Sequence, residues 1–481
     1  MPTESIASIY TPLLADFYQL TMAYGYWKLN MHERETTFHL IFRKNPFNGN
    51  YALSAGLKTV MDFLKHWRFQ EDDLTYLATL TLPTGQPLFE PAFLDYLRTL
   101  TFTGNIDAIP EGTIVFANEP LLRIEGPILQ CQLIESALLN IINFQTLIAT
   151  KASRVCLAAH PYPVIEFGMR RAQGPDGALS ASRAAYIGGC VATSNTLAGK
   201  HYDIPVRGTH AHSWVTAFPN EMEAFQAYAD VMPENCVLLV DTFNTLEGVK
   251  HAILIGKKLR EKNADLLGIR LDSGDMATLS IKARQLLDDA GFTHTDILAS
   301  NSLDEYVIQD LKKQQAKISS YGVGTNLATA YDQPALDGVY KLSAIQDNQG
   351  KWLYKLKLSE QAVKISNPGR HQIRRFFCDE RYVMDVIYDL DLGISDSPDV
   401  VLLDKSLEHK RLDDYDGSVD LLKPIMQKGK MIEESDSIHD IRKHAILAAQ
   451  HFCKTHGDTQ YIVALEKKLF DLKHELIDKL K

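Results

Sequence analysis

Residues 236–273 read CVLLVDTFNTLEGVKHAILIGKKLREKNADLLGIRLDS. Two short apolar runs, CVLLVDT (236–242) and LLGIRLDS (266–273), flank an amphipathic stretch over 246–262. Apolar runs of this length are typical of strands buried on both faces, and the 3.6-residue periodicity between them indicates a helix. The stretch therefore predicts a strand–helix–strand unit of a parallel sheet.

The same alternation continues on both sides of this unit. Helices are predicted over 221–231, 276–290 and 303–315. Seven strand candidates in succession favour a closed or nearly closed, irregular α/β barrel, although an open sheet has the same periodicity. The other strand candidates are VIEFG (164–168), GCVATSN (189–195), IPVRGT (204–209), DILASN (296–301) and ISSYGVGT (318–325).

The chain divides by pattern into three parts. Residues 1–130 mix a helical start, strand-like runs and turns rich in Pro and Gly, which indicates an α+β domain. Residues 131–334 carry a long helix and then the predicted barrel. Residues 335–481 open with a predicted β-hairpin that turns at 347–350 and end in a predicted charged helix, YIVALEKKLFDLKHELIDKL (461–480).

Composition excludes several classes of protein. Apolar residues make up 45% and charged residues 23%, values that exclude disorder over most of the chain. The net charge of −10 excludes a protein whose whole surface binds nucleic acid. No run is apolar enough to predict a membrane span, and the N-terminus lacks the basic region of a secretory signal. The six cysteines are scattered without zinc spacing, so we expect a reducing, cytoplasmic compartment.

Polar residues close the predicted strands, where the functional groups of an α/β barrel gather. Arginines match phosphate geometry, small-residue turns let backbone N–H groups approach a phosphate, and carboxylates hold Mg²⁺ or ribose hydroxyls. This combination predicts a phosphorylated sugar ligand. The residues are Arg170, Arg171, Asn195, Thr209, His210, His212, Asp241, Arg270, Asp272, Asn301, Gly322, Gly324 and Thr325.

Some of these residues also have purely structural interpretations. Arg170 and Arg171 are adjacent to a predicted helix start, and their alternative role is to form ion pairs with acidic residues on the surface. Asp275 is expected to cap a helix, and His210 is expected to be packed. The signatures of P-loop ATPases, Rossmann dehydrogenases, serine hydrolases and zincins are absent from the sequence.

The longest motifs resemble nicotinate phosphoribosyltransferases. The resemblance runs from about residue 10 to beyond residue 375. It rests on ADFYQLTMAYGYW (15–27), FRKNPFNGNYALSAGL (42–57), EFGMRRAQGPDGALSASRAAYIGG (166–189), RGTHAHSWV (207–215), VDTFNTLEGV (240–249), IRLDSGD (269–275) and YGVGTN (321–326).

That resemblance implies a type II phosphoribosyltransferase fold, in which an α/β barrel joins a domain built from N-terminal and later segments. It implies transfer of a phosphoribosyl group from 5-phosphoribosyl 1-diphosphate to nicotinate, the first step of NAD synthesis from nicotinate. It also implies Mg²⁺ held through substrate phosphates and a homodimer with a shared active site. ATP would be a co-substrate hydrolysed through a phosphohistidine, and this coupling formally makes the enzyme a ligase.

The resemblance assigns roles to single residues. His212, the second histidine of THAHSW, would carry the phosphoryl group. Tyr18, Thr209 and Arg270 would surround nicotinate. Arg170 would approach the pyridine ring and the diphosphate, and Arg43 would hold the diphosphate. Asp272 would hold the ribose hydroxyls or the metal, and Gly322, Gly324 and Thr325 would surround the 5-phosphate. From their places at strand ends, Asn195, Asp241 and Asn301 are also expected to bind substrate.

One position departs from the family pattern, and two other activities stay open. Many relatives carry an acidic residue where Ser302 stands, so Asn301 or Asp304 is the alternative contact to ribose. A related enzyme of nicotinamide or quinolinate is the first alternative. A sugar-phosphate lyase or isomerase is the second, although it is expected to need a lysine at a strand end.

Overall fold

The computed structural model describes residues 9–359, 365–403, 407–432, 436–457 and 459–480. Contacts divide the chain into two compact units. One comprises the residues up to Leu147 with those from Ala335 onward, and the other comprises Ile148–Pro334. The boundaries expected from the sequence, at 130 and 334, stay a prediction about domains.

The elements alternate most regularly between residues 160 and 330. The α-helices are α1 (Phe17–Lys28), α2 (Leu57–Lys65), α3 (Glu71–Ala78), α4 (Pro91–Thr99), α5 (Ile128–Leu133), α6 (Glu135–Ala159), α7 (Gly174–Ile187), α8 (Thr196–Tyr202), α9 (His212–Thr216), α10 (Glu221–Val231), α11 (Thr245–Glu261), α12 (Met276–Asp289), α13 (Glu305–Lys313), α14 (Thr325–Ala328), α15 (Ile438–His456) and α16 (Lys467–Leu480). The strands are β1 (Glu35–Phe42), β2 (Ala52–Leu53), β3 (Asn105–Ala108), β4 (Ile114–Val115), β5 (Pro120–Pro127), β6 (Val164–Glu166), β7 (Ala192–Thr193), β8 (Val237–Leu239), β9 (Gly268–Leu271), β10 (Asp296–Ser300), β11 (Ser320–Val323), β12 (Gly338–Gln346), β13 (Trp352–Tyr354), β14 (His371–Cys378), β15 (Arg381–Asp389), β16 (Asp399–Leu402), β17 (His409–Arg411), β18 (Gly417–Asp420), β19 (Lys423–Gln427), β20 (Lys430–Met431) and β21 (Val463–Glu466).

The unit from Ile148 to Pro334 is built on a parallel sheet with the strand order β7–β6–β11–β10–β9–β8. The predicted helices are confirmed as α10 to α13, with ends that differ by at most two residues. Crossover helices between parallel strands confirm the α/β class. The carboxyl ends of these strands lie along one edge of the sheet, where the polar residues of the sequence analysis follow them.

The predicted strand IPVRGT is wrong as a ladder strand. Only Val206 pairs, through a single parallel bridge to Thr193, the last residue of β7. The Thr193 N–H donates to the Pro205 carbonyl and the Arg207 N–H donates to the Thr193 carbonyl, both at 3.0 Å, but Pro205 has no N–H to extend the ladder further back along β7. The hydrogen-bonded sheet therefore joins six of the seven expected strands.

The core of this unit lies between the sheet and the helices α10 to α12. Leu238, Ile269 and Ile297 project from the strands, and Phe225 and Leu287 meet them from the helices. All are at most 1% exposed. Burying each such side chain contributes about 1.5–3 kcal/mol, which fixes the strand ends relative to one another.

The other unit combines N-terminal and later segments in shared sheets. A seven-stranded antiparallel sheet has the order β13–β12–β1–β5–β3–β19–β20, so β12 and β19 pair with N-terminal strands. This arrangement confirms the expected α+β domain made of both parts of the chain. The predicted hairpin is confirmed as β12 and β13, where the Gly350 N–H donates to the Asp347 carbonyl across the turn.

The charged C-terminal region also contributes strands. A mixed six-stranded sheet has the order β17–β16–β21–β15–β14–β18. The predicted helix over 461–480 is wrong in its first part, because Val463–Glu466 form β21, parallel to β15. Its apolar residues are buried at a sheet centre, which overrides their weak helical periodicity. Among the described residues, no helix combines the length and the apolar character needed to cross a bilayer.

Candidate functional site

Arg270 lies at the carboxyl end of β9 and is held by three neighbouring segments. Its Nε donates to the Ser300 Oγ at 2.8 Å, its Nη1 to the Thr209 Oγ1 at 3.1 Å and its Nη2 to the Asp272 Oδ1 at 2.7 Å. The side chain is 15% exposed. A guanidinium has five N–H groups, so two of them have no acceptor among the described residues. The protein thus fixes the orientation of this guanidinium fork and leaves two of its N–H groups available to a ligand.

Phe167 was missed by the sequence analysis. Its ring centroid lies 5.5 Å from the Arg270 Cζ, and the ring packs over Gly322. A Cβ on Gly322 would lie 2.5 Å from the Phe167 Cδ2, so this glycine makes room for the aromatic ring. An aromatic residue directly after β6, inside a strand-end motif, was the signal that would have found it.

The ends of β6 and β11 approach each other closely. A Cβ on Gly324 would lie 3.1 Å from the Phe167 carbonyl oxygen, and one on Gly168 would lie 2.3 Å from the Ala328 Cβ. These glycines therefore permit close packing of two strand ends. Thr325 is exposed at the start of α14. A phosphate contact of Gly322, Gly324 or Thr325 stays a prediction.

His212 and Asp241 form a pair at the end of β8. The Asp241 side chain is fully buried, and its Oδ2 accepts hydrogen bonds from the Asp272 N–H at 2.8 Å and the Ser273 hydroxyl at 2.7 Å. Its Oδ1 lies 3.2 Å from the Nε2 of His212, whose side chain is 44% exposed. A carboxylate accepts, which assigns the proton of this contact to Nε2, and in the neutral ring with that tautomer Nδ1 has the lone pair.

His210 differs sharply from His212. It is 8% exposed, and its Nε2 accepts the Leu239 N–H at 3.2 Å. Burial lowers the pKa of His210, and the accepting nitrogen requires the neutral ring. His210 is a packed residue, as expected from the sequence.

Arg170 and Arg171 lie on a 3₁₀ turn, Met169–Arg171, and are exposed. Neither forms an ion pair with a described residue, so their interpretation as partners of surface acids is wrong. Two adjacent guanidinium groups without acidic partners are suited to binding a polyanion.

Three other predicted residues have structural contacts of their own. Asn195 is 1% exposed and caps α8 by accepting the Ala198 N–H at 3.2 Å. Asp275 caps α12 as expected, and the Thr278 contact lowers the pKa of its carboxyl. Asp304 caps α13 through its Oδ1, and a ribose contact of Asp304 stays a prediction. Asn301 and Ser302 are exposed with φ of 87° and 50°, a left-handed turn that follows β10.

Tyr18 and Arg43 belong to the unit that contains the N-terminus. Tyr18 lies on α1 and is 47% exposed, and partial burial with the neighbouring Glu135 raises its pKa. Arg43 follows β1 and is half-buried. Burial lowers the pKa of Lys341, and Arg43 and Lys357 lower it further. Arg43 therefore has Lys341 nearby, a residue that the sequence analysis did not single out.

The described residues offer no dedicated metal cage. No group of three or more His, Cys, Asp or Glu side chains converges among them. Both carboxylates at the strand ends are already engaged, Asp241 as above and Asp272 through Arg270 and the Ser300 hydroxyl. This donor set is compatible with a Mg²⁺ ion that would be held mainly by substrate phosphates, and a contact of Asp272 with that ion stays a prediction.

The fold has counterparts among solved structures. Human nicotinic acid phosphoribosyltransferase aligns with a TM-score of 0.84 and 29% identity over 96% of this chain and 99% of its own. The fold of nicotinate-nucleotide pyrophosphorylase from Pyrococcus furiosus also matches, with a TM-score of 0.69 and 23% identity over 94% of this chain and 97% of its own. The protein thus has the fold of type II phosphoribosyltransferases.

Sequence comparison is more specific. The N-terminal domain of nicotinate phosphoribosyltransferase matches residues 13–143, the nicotinate phosphoribosyltransferase family matches 162–370, and the C-terminal domain of the enzyme matches 370–473. The Bacillus subtilis enzyme of this name is 45% identical over 76% of this chain and 72% of its own. The Dictyostelium discoideum enzyme is 37% identical over 97% and 88%. The chain belongs to the nicotinate phosphoribosyltransferase family.

Proposed function

We propose that the protein transfers the phosphoribosyl group of 5-phosphoribosyl 1-diphosphate to nicotinate, forming nicotinate mononucleotide and diphosphate. The observation that carries this proposal is the Arg270 fork, which is fixed by three neighbours and keeps two N–H groups for an acceptor. A carboxylate accepts such a pair bidentately. The Phe167 ring beside the guanidinium provides a flat face for a pyridine ring.

In the proposed reaction N1 of nicotinate attacks C1 of the ribose, and the C1–O bond to diphosphate breaks with its electron pair on the leaving oxygen. Positive charge develops on the sugar and negative charge on the diphosphate. Arg170 and Arg171, which have no acidic partner among the described residues, stabilise the leaving group by fixed positive charge. Mg²⁺ bound to the phosphates would add further charge stabilisation.

ATP coupling through His212 is a second part of the proposal. The γ-phosphoryl group of ATP moves to the Nδ1 of His212 with departure of ADP, and water later releases phosphate. Asp241 supports this role, because its buried carboxylate holds the Nε2 proton and leaves the Nδ1 lone pair for attack. The same carboxylate stabilises the positive ring that forms.

The proposal includes a homodimer with a shared active site. Tyr18, Met22 and Leu29 follow the spacing of one face of α1 and are 47%, 40% and 69% exposed. An apolar stripe on an exposed helix is suited to contact with a second subunit. Mixing Tyr18→Ala with Arg170→Ala protein should restore activity in heterodimers if the two residues come from different chains. Exchanged chains that show no complementation would contradict the shared site.

A cytoplasmic location is also proposed, on the basis of the scattered cysteines. Fractionation of cells that express the full chain checks this location directly. Recovery in a membrane or secreted fraction would contradict it.

The decisive experiment is a turnover assay with a panel of bases. The purified protein is incubated with 5-phosphoribosyl 1-diphosphate, Mg²⁺ and nicotinate, nicotinamide or quinolinate, each with and without ATP. We expect product from nicotinate and a gain with ATP. Preferential use of nicotinamide or quinolinate would show a related transferase instead, and absence of turnover with all three would overturn the proposal.

A further inference from the structure

Glu166 ends β6 and is 1% exposed. Its Oε1 accepts the Gly168 N–H in a short hydrogen bond. Its Oε2 accepts the hydroxyls of Ser182, at 2.9 Å, and Thr193, at 2.6 Å. One carboxylate therefore joins the turn after β6, the helix α7 and the strand β7.

The contact to Gly168 controls the turn that carries the two unpaired arginines. The Gly168 carbonyl accepts the N–H groups of Arg171, at 2.8 Å, and Ala172, at 3.1 Å. Gly168 is thus held by Glu166 through its N–H, and its carbonyl, in the next peptide group, starts the 3₁₀ turn. A Cβ at Gly168 would lie 2.3 Å from the Ala328 Cβ, so the backbone has little room to shift.

The surroundings of Glu166 differ from those of the other buried glutamates in this unit. Glu221 pairs with His251 at 2.8 Å, and Glu305 pairs with Lys151 at 2.7 Å. Glu166 forms no ion pair with a described residue, and neutral N–H and O–H donors surround it. A buried carboxylate without a cation is costly for stability, and here the hydrogen bonds from the turn, α7 and β7 compensate for that cost.

We propose that Glu166 is a positioning residue that holds the Arg170–Arg171 turn in the conformation that binds the diphosphate group of the substrate. This inference rests on the proposed function. Glu166 itself has no contact with the ligand. Glu166 acts on the turn through the hydrogen bond that it accepts from the Gly168 N–H. The Ser182 and Thr193 hydroxyls fix the orientation of its carboxylate.

The test compares Glu166→Gln with the wild type. A glutamine has one acceptor oxygen, so its NH₂ group must face either the Gly168 N–H or the two hydroxyls, and the Thr193 hydroxyl already accepts the Asn195 N–H. Titration calorimetry with inorganic diphosphate and Mg²⁺ should show affinity at least tenfold weaker. The KM for 5-phosphoribosyl 1-diphosphate should rise in parallel, with the KM for nicotinate unchanged.

Smaller changes test the orientation of the carboxylate. Thr193→Val removes one donor at constant shape, and Thr193→Ser restores it. We expect diphosphate affinity to fall about threefold in the first and to return in the second. Ser280→Ala is the matched control, because Ser280 is equally buried in α12 and bonds to the Ala277 carbonyl and the Lys317 N–H. Glu221→Gln controls for loss of a buried carboxylate.

The outcomes separate this inference from the function it rests on. If the wild type neither binds diphosphate nor turns over nicotinate, the proposed function fails. If the wild type does both and folded Glu166→Gln has the same diphosphate affinity, only the positioning role is overturned. A fall in melting temperature with equal shifts in both KM values would likewise overturn it, since a purely structural role predicts that pattern.

Discussion

Two arginine–aspartate pairs, one in each unit, have opposite surroundings. Arg375 on β14 is 3% exposed, and its Nε and Nη2 both bond to Asp385, whose side chain is fully buried. The Ile114 carbonyl and the rings of Phe116 and Tyr382 complete the contacts. Arg270 also bonds through three N–H groups, but its side chain is 15% exposed at the end of β9, so exposure distinguishes the two pairs. The same pair of residues stabilises the fold when it is closed and serves as a candidate ligand site when it stays open.

The histidines of the THAHSW motif repeat this contrast and carry the largest expected effect. His212→Ala should abolish ATP hydrolysis and the gain that ATP brings to product formation, because the exposed Nδ1 is removed. His210→Ala should retain both and lower the melting temperature, because a buried ring is lost. Labelling with γ-labelled ATP, followed by detection of acid-labile, base-stable phosphate on the protein, provides the measurement.

Two results would contradict that assignment. Label that persists on His212→Ala, or that disappears only with His210→Ala, would place the phosphoryl group elsewhere. Slow transfer without ATP should survive in His212→Ala, since attack on the ribose needs no histidine. Its complete loss in folded protein would show that His212 takes part in the transfer step.

The closed pair should matter most for stability. Arg375→Ala leaves Asp385 buried without its cation and should lower the free energy of unfolding by about 3–5 kcal/mol. Denaturant titration measures the change. Replacing both residues, as Arg375→Met with Asp385→Leu, should restore part of the loss, because no unpaired charge remains. An Arg375→Ala protein as stable as the wild type would refute the closed-pair interpretation.

The open pair should matter for the substrate instead. Arg270→Ala should reduce kcat/KM for nicotinate by roughly tenfold or more, since hydrogen bonds to a charged group contribute about 1.5–3 kcal/mol. Arg270→Lys keeps the charge but loses the fork, so it should recover little of this. Steady-state kinetics at saturating 5-phosphoribosyl 1-diphosphate gives the values. Unchanged nicotinate use in either variant would remove Arg270 from base recognition.

The smallest expected effect concerns pH at the closed pair. Burial and the neighbouring Asp385 raise the pKa of Glu119 well above its ordinary value. A carboxyl with a raised pKa in the folded state stabilises fully below its unfolded pKa, about 4.3, and this contribution is lost as the pH rises toward the folded value. Glu119→Gln should flatten the fall in unfolding free energy above about pH 4, by up to roughly 1.4 kcal/mol per pH unit. Parallel pH curves for the two proteins would contradict this.

The agreement between predicted and observed elements differs along the chain. The helices from 245 to 313 were predicted within two residues and the strands between them within three, since long periodic segments have one face buried, as their pattern predicts. The strand expected over IPVRGT is wrong because Pro205 limits its pairing with β7, and this pairing is visible only in the tertiary structure. The helix expected from YIVAL is wrong because Val463, Ala464 and Leu465 belong to β21, which pairs with β15, a strand far earlier in the chain.

The candidate site shows the same limit. Arg270, Asp272, Asp241 and His212 were found because each lies at or just after an apolar run predicted as a strand, and the resemblance to the family supplied their roles. Phe167 and Glu166 were missed because they look like ordinary members of a strand end. What marks them is contact with residues distant in sequence, namely Gly322 and Arg270 for Phe167, and Ser182 and Thr193 for Glu166.

The amino-acid sequence by itself determined the α/β class, the strand-end residues and the family, because periodicity and motif order are local properties of a chain. Only the tertiary structure decided which of those residues stay open to a ligand. Arg170, Arg171 and part of the Arg270 fork do, whereas Asn195, His210 and Asp275 are engaged by the fold. The physical reason is that hydrogen-bonding capacity is shared among neighbours in space, and the number of donors left over is known only once every neighbour is placed.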